Sequence, residues 1–137
     1  MAAFFNRPVA TPLQRIVCYG CDGLILTNAW LISLIAYGPE STPAAIVGSF
    51  LAYYFVYYMG FMVGFGATPA KLVLRTRIVR NLGERPEPAV LLLRYVVFLL
   101  TLGVPFGAFV SLWFLIRDPD RRAIHDRIAG TIVVQSS

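Results

Sequence analysis

The 137-residue sequence has few charged side chains, and this scarcity indicates its class. Charged residues make up 14% of the chain and hydrophobic residues 58%, and the mean hydropathy is +0.69. A soluble domain carries charge on about a quarter of its residues, and a soluble core of this size could not bury so much apolar surface. The composition therefore predicts an integral membrane protein with a single domain over residues 1–137, whose solvent is the lipid bilayer.

Acidic residues are the scarcer of the two charged types, with seven against twelve basic residues and a net charge of +5. Basic residues beside membrane helices are usually retained in the cytoplasm. The positions of the basic residues therefore predict which segments face the cytoplasm. A nucleic-acid partner would require basic charge on a soluble face, which this chain lacks. No nucleic-acid binding is expected.

Cysteine and the usual catalytic signatures are also sparse. Cys18 and Cys21 form a C-x-x-C spacing, but they lie in an apolar run without a second pair, so helix packing explains them better than redox or zinc chemistry. The sequence has no G-x-S-x-G, phosphate loop or H-E-x-x-H motif. We therefore expect neither an enzyme nor a bound metal or cofactor.

Two long apolar runs, residues 13–37 and 44–65, are each long enough to cross a hydrocarbon core of about 30 Å. The first contains Asp22 and no clear cleavage site, so we expect it to be retained rather than removed as a signal peptide. Arg7 and Arg15 precede it, whereas the connector 38–43 carries only Glu40. This asymmetry predicts a multi-pass protein of the inner (plasma) membrane with a cytoplasmic N-terminus.

The second run is rich in tyrosine and ends in glycine. Tyr54 and Tyr58 are four residues apart on one helix face, so with Asn28 of the first run they could line a polar pathway. Packing and interfacial anchoring are the commoner roles of membrane tyrosines and carry more weight. Gly60 and Gly64 form a GxxxG pair that would permit close helix approach.

A basic stretch, residues 69–85, follows the second run. It fits either a short strand over residues 74–79 followed by a turn at 81–86, or a surface amphipathic helix over residues 69–79. In both cases its side chains, Lys71, Arg75, Arg77, Arg80 and Arg85, are expected to meet anionic lipid headgroups.

The last apolar stretch, residues 89–116, is either a single crossing or a hairpin of two short helices broken at residues 103–107. A single crossing would place the arginines after residue 116 outside, so the hairpin is favoured. The hairpin would also let the strand-like residues 130–135 pair with residues 74–79. The predicted fold is an all-α membrane protein: two transmembrane helices plus a broken helical hairpin (or third span), with short extended cytoplasmic segments that pair.

Ionisable residues within the apolar runs are the candidate site. Asp22 lies seven residues after Arg15, about 10 Å along the same helix face, which is too far for easy direct pairing. An unpaired carboxylate there costs at least ~2.5 kcal/mol, so Asp22 needs a partner: Arg94, Arg15 through water, Asn28, or a tyrosine of the second run. A proton or cation site and a structural ion pair are equally good explanations.

His125, the only histidine, and Asp126 form a second candidate group near the C-terminus. Adjacent residues point in different directions on a helix, so the two do not make a catalytic dyad. A histidine that titrates near neutrality could sense cytoplasmic pH. An Asp126 that accepts backbone or arginine hydrogen bonds in a capping segment is the simpler explanation.

Together these residues resemble the RDD family of membrane proteins. The matching blocks are Arg15 and Asp22 within residues 15–26, Gly66-Ala-Thr-Pro-Ala-Lys71, Leu93-Arg94, and His125-Asp126 within residues 125–134. On this resemblance Arg15, Asp22 and Asp126 are the residues that name the family. Two positions depart from it: Ala70 stands where glycine is common, and Cys18 where alanine is common.

The resemblance implies transport for many members and sodium–proton exchange for some, whereas others are accessory parts of larger membrane assemblies. Two spans and a hairpin hardly enclose a pathway, so a transporter of this size would act as a homo-oligomer. The alternative is a non-transporting accessory or scaffold subunit of a larger membrane complex.

Overall fold

The structure, a computed structural model, describes residues 7–37, 42–80 and 83–136. Over these residues the chain is mostly helical, as predicted. Its elements in chain order are α1 (Pro12–Tyr37), α2 (Pro43–Phe65), α3 (Pro69–Val73), β1 (Thr76–Arg80), α4 (Pro88–Gly103), α5 (Gly107–Arg117), α6 (Ile124–Ala129) and β2 (Thr131–Gln135).

Helices α1 and α2 are the two elements long and apolar enough to cross a membrane among the described residues. Their 26 and 23 residues correspond to about 39 and 35 Å. Each begins at a proline after a threonine, because proline suits the first helical turn and the threonine hydroxyl accepts an otherwise unpaired backbone N–H. The hydroxyl of Thr11 accepts from Gln14 and that of Thr42 from Ala45. Both helices begin within one residue of their predicted starts.

The two long helices run antiparallel. The indole Nε1 of Trp30 donates to Ser49 Oγ at 3.0 Å. Earlier in α1 and later in α2, Tyr57 Oη donates to Asp22 Oδ1 at 2.8 Å. Residues 38–41, which include Glu40, lie outside the described residues. The membrane orientation inferred from the low charge of this connector therefore stays a prediction.

The third apolar stretch is a hairpin, as favoured from the sequence. Helix α4 ends at Gly103, Phe106 adopts a left-handed conformation with φ of +62°, and α5 returns from Gly107. Gly107 is required because a Cβ there would lie 2.0 Å from the carbonyl oxygen of Thr101. The two arms correspond to only about 24 and 17 Å, too short to span.

Strands β1 and β2 pair antiparallel, with Ile78 opposite Val133 and Arg80 opposite Thr131. The predicted pairing is therefore confirmed. Residues before α1 extend the sheet, since Ala10 N donates to Val133 O at 3.0 Å. Both alternatives for the basic stretch are partly right, because helix α3 precedes strand β1. Of the predicted turn at residues 81–86, residues 81–82 lie outside the described part.

Helices α1 and α4 begin, and α2 and α5 end, at the same end of the molecule, which we call the cap end. Helices α3 and α6 and the sheet cover it. The hydrophobic core joins this sheet to the bundle, and its buried members are Ala10, Tyr58, Met62, Ile78, Leu91, Tyr95 and Val133. Away from the cap end, large apolar side chains such as Leu24, Ile35 and Phe109 are two-thirds exposed or more.

Candidate functional site

Asp126 lies at the centre of a buried ion-pair network under the cap. Its Oδ1 is 2.7 Å from Arg94 Nη1, and its Oδ2 contacts Arg15 Nη2. The exposed fractions of the Asp126, Arg94 and Arg15 side chains are 0%, 1% and 2%. These three residues, the Asp126 network, join the first two turns of α1 and α4 to helix α6, so α6 is anchored by charge in an otherwise apolar interior.

Backbone and hydroxyl groups complete the network. Ala123 N donates to Asp126 Oδ2 at 3.1 Å, and Arg94 Nη1 donates to Thr131 Oγ1 at 3.2 Å. Burial alone would raise the pKa of Asp126, but the charges of Arg94 and Arg15 outweigh it and hold that pKa well below its usual range. The carboxylate therefore stays ionised, and the expectation that Asp126 accepts arginine and backbone hydrogen bonds is confirmed.

The His125 ring packs in an aromatic pocket beside Asp126, with its Nε2 at 3.7 Å from Asp126 Oδ1. Its Nε2 lies 2.9 Å from the hydroxyl of Tyr19, and its ring stands edge-on to Phe98 and Tyr19. Burial lowers the pKa of His125 to about 3. The charge of Asp126 opposes this shift, whereas the charges of Arg94 and Arg15 add to it. The imidazole is therefore neutral near pH 7, so the structure argues against the alternative of a pH sensor.

A buried neutral histidine predicts a particular loss of stability in acid. The pKa of His125 is lower in the folded than in the unfolded protein, so between about pH 6.5 and pH 3 only the unfolded chain gains this proton. The free energy of unfolding should fall as pH falls through this window. We expect wild type to lose about 1 kcal/mol more per pH unit than His125→Gln between about pH 6 and pH 4, measured by denaturant unfolding in detergent.

His125→Gln is a matched comparison because the chain has a single histidine and the glutamine amide can still bond Tyr19. The carboxylates titrate in both proteins and cancel in the difference. Parallel pH profiles for the two proteins would contradict the burial of a neutral imidazole.

Asp22 has a different environment from Asp126. Its carboxylate accepts from Tyr57 Oη at 2.8 Å, Thr68 Oγ1 at 2.5 Å and Ala70 N at 3.1 Å. None of the ion pairs formed by the described residues includes Asp22. Asp22 thus ties α1 to α2 and α3 through neutral donors alone.

Two of the partners considered for Asp22 are wrong and one is right. Arg94 is engaged by Asp126 instead, and the amide of Asn28 donates to the carbonyl of Leu24 on its own exposed face. A tyrosine of the second run does bind Asp22, and it is Tyr57. Arg15 and Asp22 have separate partners, as their spacing predicted.

Lys71 is placed unexpectedly. It was predicted to face lipid headgroups with the other basic side chains, but its side chain is 3% exposed. Its Nζ donates to Thr68 Oγ1 at 3.4 Å and lies 5.1 Å from the ring centroid of Tyr19. Because Thr68 also donates to Asp22, one hydroxyl separates the ammonium from the carboxylate.

Tyr54 and Tyr58 pack against other aromatic rings. Tyr54 packs against the rings of Tyr58, Tyr95 and Phe98 at centroid distances of 5.6 to 6.4 Å, and Tyr58 belongs to the hydrophobic core. Packing therefore accounts for the position of both rings, and a polar-lining role stays a prediction.

Sequence reasoning missed Thr68, Lys71 and Thr131 as members of the polar groups. Two signals were available: Thr68-Pro69 is a threonine before a helix-starting proline, and all three residues lie in the blocks that resemble the RDD family. The two cysteines are free thiols, with Cys18 buried and Cys21 exposed. Across the described residues, no three His, Cys, Asp or Glu side chains are grouped so that they could hold a metal ion.

The architecture is that of a small helical protein with two membrane-length helices, a shorter apolar hairpin and a cap anchored by a buried carboxylate between two arginines. The model of the RDD family matches residues 1–130, so this chain belongs to the RDD family. This membership and the two long apolar helices support a membrane protein.

A relative among curated proteins gives no activity to transfer. An uncharacterized protein of Rickettsia prowazekii (strain Madrid E) is 33% identical over 81 residues, which cover 58% of this chain and 43% of that protein. The match thus spans less than half of the relative's length. No solved structure matches the chain.

Proposed function

We propose that this protein exchanges a small monovalent cation for a proton at Asp22, as a homo-oligomer in the inner membrane with its cap end in the cytoplasm. The observation that carries the proposal is the contrast between the two carboxylates. Asp126 is neutralised by two arginines, whereas Asp22 is held by two hydroxyls and one amide. A carboxylate that no cation contacts directly can take up a proton or a cation, with the ammonium of Lys71 held one hydroxyl away.

The charge distribution supports the proposed orientation. All twelve basic residues lie at the cap end. Arg7 precedes α1 and Arg15 lies in its first turns, Lys71 to Arg85 follow α2, Arg94 lies near the start of α4, and the rest run from Arg117, the last residue of α5, to Arg127. Such a distribution is typical of a cytoplasmic face. Residues 7–11 before α1 and β2 near the end of the described chain would then face the cytoplasm.

The oxygen chemistry around Asp22 suits a hard cation. Carboxylate and hydroxyl oxygens are the ligands that sodium-like cations prefer, and the hydroxyls of Tyr57 and Thr68 can rotate so that their lone pairs face an ion. A proton and a cation would compete for the same carboxylate, since either one neutralises it. The ammonium of Lys71, one hydroxyl away, would disfavour occupancy by both at once.

A second copy of the chain is the proposed missing wall of the pathway. An open, almost wholly apolar groove of about 620 Å³ runs between α1 and α2. Tyr57, which donates to Asp22, lines this groove together with Leu26 and Gly60. A helix of another protomer placed there would enclose the Asp22 site, and Gly60 leaves room for close approach.

The test is cation flux into proteoliposomes that contain the purified protein and an imposed pH gradient. We expect Asp22→Asn to reduce sodium-coupled proton flux at least about tenfold, because the amide cannot exchange a proton for a cation. Asparagine keeps an oxygen that can accept from Ala70 N, so the contacts with α3 should survive.

Glu87→Gln is the matched control. Glu87 is 71% exposed at the start of α4, and its replacement by glutamine removes the same charge as Asp22→Asn. Its flux should equal that of wild type. Equal flux from Asp22→Asn and wild type would contradict the proposal. Absence of flux in wild type, with co-purification of a stoichiometric larger partner, would replace it with the accessory-subunit alternative.

A further inference from the structure

A separate cavity of about 450 Å³ lies at the cap end, between the sheet and the end of α2. We call it the arginine pocket. Its apolar lining comes mainly from both strands and from Phe65, and four arginines surround it. The arginines are Arg7, Arg77, Arg80 and Arg85, and among the described residues the one acidic residue that lines the pocket is Asp120.

The positive charge of the arginine pocket has little internal compensation. The side chains of Arg7 and Arg77 are exposed and form no hydrogen bond or ion pair with the described residues. Asp120 is already paired with Arg122 at 3.1 Å, so it does not neutralise them. An anion that entered the pocket would find two guanidinium groups free to bind it.

Of the other two arginines, Arg80 is held loosely and Arg85 binds the end of α2. Arg80 lies 3.5 Å from Glu87, but both side chains are largely exposed, so this pair contributes little. Arg85 Nη2 donates to the carbonyl oxygens of Val63 and Gly64 in the last turn of α2. Arg85 is thereby fixed at the mouth of the pocket, close to the exposed ring of Phe65.

The combination indicates an amphiphilic ligand. Guanidinium groups match the geometry of phosphate oxygens and bind them in pairs. The apolar wall formed by Phe65, Ile132 and Val134 would contact hydrocarbon rather than a purely polar ion. If α2 spans the membrane, its end at Phe65 and Gly66 lies at the depth of the headgroups.

We infer that the arginine pocket binds the phosphate ester of an anionic phospholipid, with Arg7 and Arg77 on the phosphate and the acyl chain along Phe65. This inference rests on the membrane placement proposed above but not on cation exchange. It assigns to this end of the protein a selective lipid site, in place of a general attraction between basic side chains and the bilayer.

The experiment is native mass spectrometry of the purified protein in detergent with phosphatidylglycerol or phosphatidylcholine. Wild type should retain phosphatidylglycerol preferentially. Arg77→Gln and Arg7→Gln should each weaken this retention roughly tenfold, since each removes one charged hydrogen-bond donor group. Both side chains are exposed, so both variants should fold.

Arg117→Gln is the matched control, because Arg117 is also exposed, at the end of α5 and away from the pocket, where it lies over Trp113. It removes the same charge and should leave lipid retention unchanged. An equal loss in Arg117→Gln and Arg77→Gln would show a general electrostatic effect and overturn the inference. So would equal retention of the two lipids by wild type.

A further arm separates a lipid from a soluble phosphate ester. Millimolar glycerol phosphate should not displace bound phosphatidylglycerol, and displacement would overturn the lipid as the occupant. In proteoliposomes of neutral lipid, Arg77→Gln should keep wild-type cation flux. Arg77→Gln should lose lipid selectivity and keep its cation flux, whereas Asp22→Asn should lose flux and keep lipid selectivity. The two variants therefore test the two proposals independently.

Discussion

Asp126→Asn should be among the most destabilising single substitutions in this protein, lowering the free energy of unfolding by about 3–5 kcal/mol. Arg15 and Arg94 would be left buried with no carboxylate to neutralise them, at exposed fractions of 2% and 1%. Burial of an unpaired charge costs more than the ion pair contributes, which is why removing one partner is so damaging. Denaturant unfolding in detergent, followed by circular dichroism, measures this loss.

Asp120→Asn is the control for Asp126→Asn. Asp120 also binds an arginine, Arg122 at 3.1 Å, but its side chain is 47% exposed, so its loss should cost under about 1 kcal/mol. A second comparison replaces the whole network, with Arg15→Met, Arg94→Met and Asp126→Leu combined. This triple variant should be more stable than Asp126→Asn alone, because no charge remains buried. A triple variant that is less stable would contradict the argument from unpaired charge.

The helices and the sheet were largely predictable because their signals are local. Two apolar runs, one beginning after Pro12 and the other ending at Phe65, predicted the two long helices. The glycines at 103 and 107, on either side of a proline, indicated the hairpin. The strand pairing followed from the hairpin, since the return of α5 brings residues 131–135 to the side of residues 76–80. Each step required only composition, length and chain connectivity.

The partners of the ionisable residues were not predictable in the same way. Arg94 was considered for Asp22 but binds Asp126. This choice depends on how α6, which lies far from α4 in sequence, packs against it. Lys71 looked like its exposed basic neighbours, and only the packing of α3 against α1 buries it. Side-chain partners are set by tertiary orientation, which hydropathy and spacing do not contain.

Gly107→Ala should be the second most damaging substitution, with an expected loss of about 3 kcal/mol from steric overlap. A Cβ at this position would lie 2.0 Å from the backbone oxygen of Thr101, which cannot move without opening the turn. Gly103→Ala is the control, because a Cβ at Gly103 meets nothing within 4 Å. It should be neutral or slightly stabilising in thermal unfolding, and equal losses in the two variants would contradict the steric explanation.

The hairpin turn and the Asp126 network should also be coupled. Helix α5 connects to α6 through residues 118–123, so a displaced turn at Gly107 would move Asp126 relative to Arg94 on α4. Part of the stability that Gly107→Ala removes would then come from a weakened ion-pair network. Asp126→Asn already removes this network, so the same stabilisation cannot be removed a second time in the double variant. The double variant Gly107→Ala, Asp126→Asn should therefore be less destabilised than the sum of the single variants, by about 1 kcal/mol or more. Strict additivity would show that the turn and the network act separately, and that α6 keeps its position by packing alone.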